Sequence, residues 1–82
     1  MARVTLIGPL RELVGDVPQP MEITATTIRA LLRVLVELSP SLEPHFAAGV
    51  AVAINGEIYQ DVWLQPVPDD ADVHILPALA GG

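Results

Sequence analysis

The chain has 82 residues, of which 51% are hydrophobic, and this length is enough for one domain with its own hydrophobic core. Ten acidic residues against four basic ones give a net charge of −6, so the chain lacks the basic surface that nucleic-acid binding requires. The absence of cysteine excludes disulfides, thiolate metal sites and a cysteine nucleophile.

The first part of the chain predicts two strands joined as a wide hairpin. Residues 3–7 alternate between the two faces of a strand and end at a glycine–proline pair. Residues 10–15 indicate a short helical turn or a loop that ends at a glycine. Two prolines then keep the chain extended before a short second strand at residues 21–24.

The clearest helix is predicted over Ile28–Leu38. Thr27 is well placed as its N-cap, and a serine–proline pair ends it. Arg29 and Arg33 lie on a solvated face together with Glu37. The opposite, apolar stripe consists of Ile28, Leu31, Leu32, Leu35 and Leu38.

After the helix, the sequence predicts a long loop followed by the third strand. The loop covers residues 41–49, and Leu42 and Phe46 are expected to anchor it against the flank of the helix. Val50–Ile54 alternates between larger and smaller apolar residues, which is typical of a strand that is buried on one face.

The rest of the chain predicts a tight hairpin and a last strand. Asn55-Gly56 favours a type I′ turn that leads into a short fourth strand at Glu57–Gln60. Residues 61–71 are irregular, and a fifth strand is expected at residues 72–76, before a proline.

This order of elements predicts an α+β fold in which one helix packs across one face of a mixed sheet of about five strands. The helix supplies the crossover that allows the last strand to lie parallel beside the first. Eight apolar side chains should form the least accessible part of the core: Val4, Leu6, Leu31, Leu35, Val52, Ile54, Val73 and Ile75. The other sheet face is expected to be flat and lightly charged, as a docking surface requires, and carries Ala51, Ala53, His74 and Leu76.

No metal site or enzyme active site is expected within the chain. His45 and His74 belong to no ligand pattern, and the aspartates of residues 69–72 lack the glycine and the distal glutamate of a calcium loop. Trp63 suits a peripheral core position or a partner surface, and we favour packing. A small core leaves little room for an enclosed pocket, which argues against an enzyme. No leader or membrane span is evident, so we expect a cytoplasmic protein.

The chain ends in a proline followed by a short tail with two terminal glycines. Residues 78–82 can reach about 17 Å when extended. Gly81 and Gly82 have no side chains and can thread a narrow channel. The terminal carboxylate is ionised at neutral pH and can attack the α-phosphate of ATP if another protein positions the nucleotide. The alternative is a frayed terminus without a function.

Several segments together resemble the ubiquitin-like sulfur-carrier family of the MoaD/ThiS type, which has a β-grasp fold. The resemblance covers essentially the whole chain, and the di-glycine end is its most specific feature. One turn departs from the family pattern, because Pro68-Asp69-Asp70-Ala71-Asp72-Val73 lacks the usual glycine. The similar segments are residues 4–7, Leu10-Arg11-Glu12-Leu13-Val14-Gly15, Thr27-Ile28-Arg29-Ala30-Leu31-Leu32, residues 50–56 and Pro77-Ala78-Leu79-Ala80-Gly81-Gly82.

The resemblance implies a β-grasp domain at residues 1–77 and a flexible tail at residues 78–82. An E1-like adenylating enzyme would activate the carboxylate of Gly82 with ATP, and a persulfide donor would convert it to a thiocarboxylate. A sulfur-accepting synthase would then receive the sulfur. The chain itself would be a carrier, not an enzyme, with no stably bound cofactor. Gly82 would be the covalent site, and the partner contacts would be made by Leu76, Leu79, Ala80 and Gly81.

The resemblance leaves the pathway open between two MoaD-like carriers. One is the small subunit of molybdopterin synthase, and the other is a carrier for thiocarboxylate-dependent cysteine synthesis. Two further classes are a ubiquitin-like protein modifier, joined through Gly82 to lysines of target proteins, and a β-grasp interaction module without chemistry. The chain contains no lysine, so it could not form chains of itself through its own side chains.

Overall fold

The computed structural model describes residues 1–78, which form a single five-stranded mixed sheet covered by helices. The strands are β1 (Ala2–Leu6), β2 (Met21–Ile23), β3 (Val50–Ile54), β4 (Glu57–Gln60) and β5 (Asp72–Pro77). Their order in the sheet is β2-β1-β5-β3-β4. β1 and β5 are parallel neighbours at the centre, and the other pairs are antiparallel. The predicted α+β architecture, with the last strand beside the first, is confirmed.

The main helix has the bounds that the sequence predicts. The helices are α1 (Pro9–Leu13), α2 (Ile28–Leu38) and α3 (Glu43–Ala48), with a 3₁₀ turn at Pro40–Leu42. Thr27 caps α2, because its Oγ1 accepts a hydrogen bond from the N–H of Ala30 at 3.2 Å. Within residues 1–78, none of these helices has the length and apolar character needed to cross a membrane.

The core contains the side chains that the alternation and the helical spacing select. None of the eight predicted core residues is more than 6% exposed. The hairpin between β3 and β4 is confirmed as well, since Asn55 and Gly56 have φ values of 49° and 91°. Asn55 is also bound to Asp72 at the start of β5, through its Oδ1 and its backbone N–H, each at 2.9 Å.

The loop expected at residues 41–49 is wrong, because this segment forms the 3₁₀ turn and α3. Pro40 and Pro44 lie in the first turns of these two elements, where a missing N–H costs no internal hydrogen bond. The expected anchors are confirmed, since Leu42 and Phe46 are both buried.

Smaller differences concern the ends of elements and one aromatic side chain. Of the two alternatives for residues 10–15, the helical turn is confirmed, and α1 begins one residue earlier, at Pro9. The first strand is shifted by one residue, although the N–H of Ile7 still donates to the carbonyl of Ile75 at 2.9 Å. The last strand includes Pro77, which pairs with Val50. The preference for packing Trp63 is wrong, because the indole lies outside the core and is 39% exposed.

Candidate functional site: the root of the tail and the outer sheet face

The tail begins at the end of the central strand β5. The side chain of Ile75 is fully buried, and Pro77 lies opposite Val50 of β3. One residue further on, the N–H of Ala78 donates to the carbonyl of Gly49 at 3.2 Å. The root of the tail is therefore held beside β3, which fixes the position of the chain as far as Ala78.

Gly49 brings α3 and the root of the tail close together. Its φ of 122° lies in the region that favours glycine, and a Cβ at this position would approach the Cβ of Ala78 to 3.2 Å. Its N–H donates to the carbonyl of Phe46, which ends α3. Gly49 was not predicted from the sequence, because residues 41–49 were expected to form a loop and the helix that Gly49 ends is visible only in the structure.

Four of the five predicted site residues lie outside the residues that the structure describes. These four are Leu79, Ala80, Gly81 and Gly82. Leu76 is the remaining one, and it lies on the outer face of the sheet, where it is half-buried beside Ala51. The structure thus describes the root of the candidate site and the surface next to it.

The outer face of the sheet, on the side away from α2, is a mostly uncharged surface. His74 and Ala53 lie at one level of the sheet, between Thr5 and the exposed Ile58. Leu76 and Ala51 lie at the next level, beside Gln60. Ala51, expected on this face as part of a docking surface, is only 1% exposed and offers almost no surface to a partner; the longer side chains of Leu76 and Gln60 flank it on the neighbouring strands.

The groups with shifted pKa values lie away from this surface. The ammonium of Met1 donates a hydrogen bond to Asp69, which lowers the pKa of that carboxyl and raises the pKa of the ammonium. A hydrogen bond from the Tyr59 hydroxyl to Glu57 raises the pKa of Tyr59. These are exposed contacts. Within residues 1–78, no three histidine, aspartate or glutamate side chains are grouped so that they could hold a metal ion.

Comparison with known proteins identifies the family. The model of the ThiS family matches residues 4–82, which is nearly the whole chain and includes the two terminal glycines. The chain belongs to the ThiS family. It is therefore of the sulfur-carrier or ubiquitin-like modifier kind, as the resemblance implies.

The fold of this ThiS-family chain is also similar to that of a solved structure. The crystal structure of SAMP1 from Haloferax volcanii aligns with a TM-score of 0.66 over 99% of this chain and 98% of that one. The two sequences are 18% identical, so the likeness concerns the fold, and it confirms the β-grasp. No curated protein matches the chain.

Proposed function

We propose that this ThiS-family chain is a sulfur carrier whose C-terminal glycine, Gly82, is adenylated and then converted to a thiocarboxylate. The observation that carries the proposal is the family match through Gly82, because it includes the part of the chain on which the chemistry would occur. A chain without cysteine has no thiol that could hold sulfur, so the terminal carboxylate is the group to which sulfur would be attached.

The proposed chemistry uses the tail as a nucleophile and later as an acyl donor. The carboxylate of Gly82 attacks the α-phosphorus of ATP within an E1-like partner, which releases pyrophosphate and forms an acyl-adenylate. The terminal sulfur of an enzyme persulfide then displaces AMP and forms an acyl disulfide. A second thiol attacks the sulfur that belongs to the donor enzyme's cysteine. This forms a new disulfide on that cysteine and releases the thiocarboxylate. ATP is therefore used by the partner, and the carrier binds no cofactor stably.

The acceptor would be a synthase of molybdopterin or cysteine biosynthesis, acting in the cytoplasm. In each encounter the tail has to enter one enclosed site, react, leave and enter another. The anchored Pro77 and Ala78 support this role, because they give the tail a fixed starting point at the surface of the domain. The proposed contacts inside the partner's channel are made by Leu79, Ala80 and Gly81.

A ubiquitin-like modifier is the second candidate, and the fold of SAMP1 favours it. SAMP1 is a ubiquitin-like small archaeal modifier protein. In this case the activated Gly82 would form an isopeptide bond with a lysine of another protein. Mass spectrometry of host proteins digested with a protease that cleaves before aspartate distinguishes the two functions. The last aspartate is Asp72, so a modifier leaves residues 72–82 as a branch on target lysines, whereas a protein that acts only as a sulfur carrier leaves none.

ATP–pyrophosphate exchange with the cognate adenylating enzyme tests the proposed function and its docking surface together. Wild-type protein should support exchange. Leu76→Glu should raise the carrier concentration needed for half-maximal exchange at least about tenfold, because it places a charge on the half-buried outer face beside the root of the tail. The free energy of unfolding should be measured alongside, to show that the domain remains folded.

A matched substitution on the other side of the molecule provides the control. Leu38→Glu introduces the same charge at a side chain of α2 that is 63% exposed, and it should leave exchange at the wild-type level. Equal exchange kinetics for Leu76→Glu and wild type would show that the outer face is not the docking surface. No exchange with wild-type protein would contradict the proposed function itself.

A further inference from the structure

An open groove lies on the helical side of the molecule, away from the outer sheet face. It has a volume of about 360 Å³ and lies between α2, α3 and the segment that contains Trp63. Its apolar surface comes from Leu32 and Val36 of α2, Phe46 and Ala47 of α3, and the indole. Arg29, Arg33 and Glu43 complete the lining.

The segment that contains Trp63 is held against the start of α2 by backbone hydrogen bonds. The carbonyl of Trp63 accepts a hydrogen bond from the N–H of Arg29 at 2.8 Å, and the carbonyl of Gln65 accepts one from the N–H of Ile28 at 3.0 Å. Two residues on, the N–H of Val67 donates to Thr26 at 2.8 Å. The segment therefore satisfies donors in the first turn of α2, which fixes the backbone of Trp63 beside this helix.

The segment that brings Trp63 to the groove exposes more apolar surface than a solvated loop requires. Val62, Trp63 and Leu64 are consecutive, and all three are exposed, with Leu64 at 74%. A run of exposed apolar side chains beside a groove is typical of a surface that another molecule covers. The groove is open to solvent, so it would leave a small ligand largely uncovered, whereas a protein segment could lie along it.

The charge at the groove indicates what kind of segment would bind. The chain has four basic side chains, and two of them, Arg29 and Arg33, line this groove, although the chain carries a net charge of −6. Within residues 1–78, neither guanidinium forms an ion pair with a carboxylate. Guanidinium groups bind carboxylates with two parallel hydrogen bonds, and local charges dominate within a screening length of about 8–10 Å.

We propose that this groove binds a segment of a partner protein that carries apolar anchor residues next to aspartate or glutamate. The anchors would pack on Phe46, Val36 and Trp63, and the carboxylates would bind Arg29 and Arg33. Glu43 lies at the same groove, and its negative charge would repel the carboxylates of such a segment. Because the groove is on the side of α2, it would remain accessible while Leu76 and the outer sheet face contact another protein.

A random peptide library displayed on phage tests this proposal, because the selection itself reveals the sequences that the groove binds. Selection against the wild-type chain should enrich peptides with aromatic or aliphatic residues next to aspartate or glutamate. A synthetic, tryptophan-free version of an enriched peptide should change the fluorescence of Trp63, which is the only tryptophan of the chain. Its dissociation constant is then measured by titration.

Two double variants of equal charge separate the groove from general electrostatics. Arg29→Gln with Arg33→Gln should weaken the peptide at least about tenfold. Arg3→Gln with Arg11→Gln removes the other two positive charges, so each double variant changes the net charge from −6 to −8. The variant with Arg3→Gln and Arg11→Gln should nevertheless bind the peptide with the wild-type dissociation constant. Glu43→Gln should bind the peptide more tightly than wild type does, and Leu76→Glu should bind it with the wild-type dissociation constant.

Four results would overturn the proposal. They are a selection without enriched peptides, enriched peptides without acidic residues, equal weakening by the two arginine double variants, and a concentration-dependent dimer that is lost only in Arg29→Gln with Arg33→Gln. The last result, measured by sedimentation, would assign the groove to a second copy of the chain. None of these results bears on adenylation of Gly82, so the proposed function is tested separately.

Discussion

Removing Gly82 is expected to leave the free energy of unfolding unchanged and to abolish ATP–pyrophosphate exchange by the cognate adenylating enzyme. The deletion moves the reacting carboxylate back by about 3.5 Å along an extended chain. Misplacing a reacting group by about 1 Å can reduce the rate about a hundredfold, so exchange should fall below detection. The domain should keep its stability, because Ile75 is the last buried core residue within residues 1–78.

Extending the chain by one alanine after Gly82 provides the matched change in the opposite direction. It should also abolish exchange, since the carboxylate would then lie one residue too far along the partner's channel. Glu37→Gln, on the exposed face of α2, should support exchange like wild type and shows that a substitution as such has no effect. Wild-type exchange by the shortened chain would contradict the role of Gly82.

Leu35→Ala is expected to lower the free energy of unfolding by about 2–5 kcal/mol. Leu35 lies on the face of α2 that packs on the sheet, and its side chain is fully buried. The substitution removes apolar contacts and leaves a cavity that a small core cannot close completely. The loss is a large share of the total stability of a small domain. Urea unfolding followed by circular dichroism measures it.

Leu38→Ala is the control within the same helix. Leu38 was predicted to belong to the apolar stripe of the helix, but its side chain is 63% exposed at the end of α2. The same chemical change at this position should alter the free energy of unfolding by no more than about 0.5 kcal/mol. Similar losses at both positions would show that α2 does not bury the face described here.

The elements that the sequence predicts most accurately are those determined by residues close together in the chain. The bounds of α2 follow from helical spacing and from the cap at Thr27, which lies within one turn of the groups that it binds. The turn at Asn55-Gly56 follows from two residues that tolerate positive φ. Such features do not depend on the rest of the fold.

The segments that the sequence analysis missed depend on distant contacts. In α3, two prolines close to its start made the segment resemble a loop, and its burial depends on contacts of Leu42 and Phe46 with the rest of the core. Trp63 is at the surface because backbone hydrogen bonds hold its segment against the start of α2. Neither relation can be read from spacing within the segment.

For the candidate site, the sequence indicated the family, whereas parts of the geometry became visible only in the fold. The two terminal glycines led to the family, and the family match includes them. The sequence placed Leu76 on the outer sheet face correctly but did not predict the burial of Ala51, because this depends on the register of three strands. The contact of Gly49 with Ala78 joins positions far apart in the sequence, and only the fold brings them together.

The intact mass of the protein purified from its own host tests the central claim most directly. If Gly82 carries sulfur, part of the population should be heavier than the unmodified chain by the difference between one sulfur atom and one oxygen atom. Fragmentation should locate this difference at Gly82, and deletion of the gene for the adenylating enzyme should remove it. A population that contains only the unmodified carboxylate in cells with the active enzyme would contradict the sulfur-carrier function.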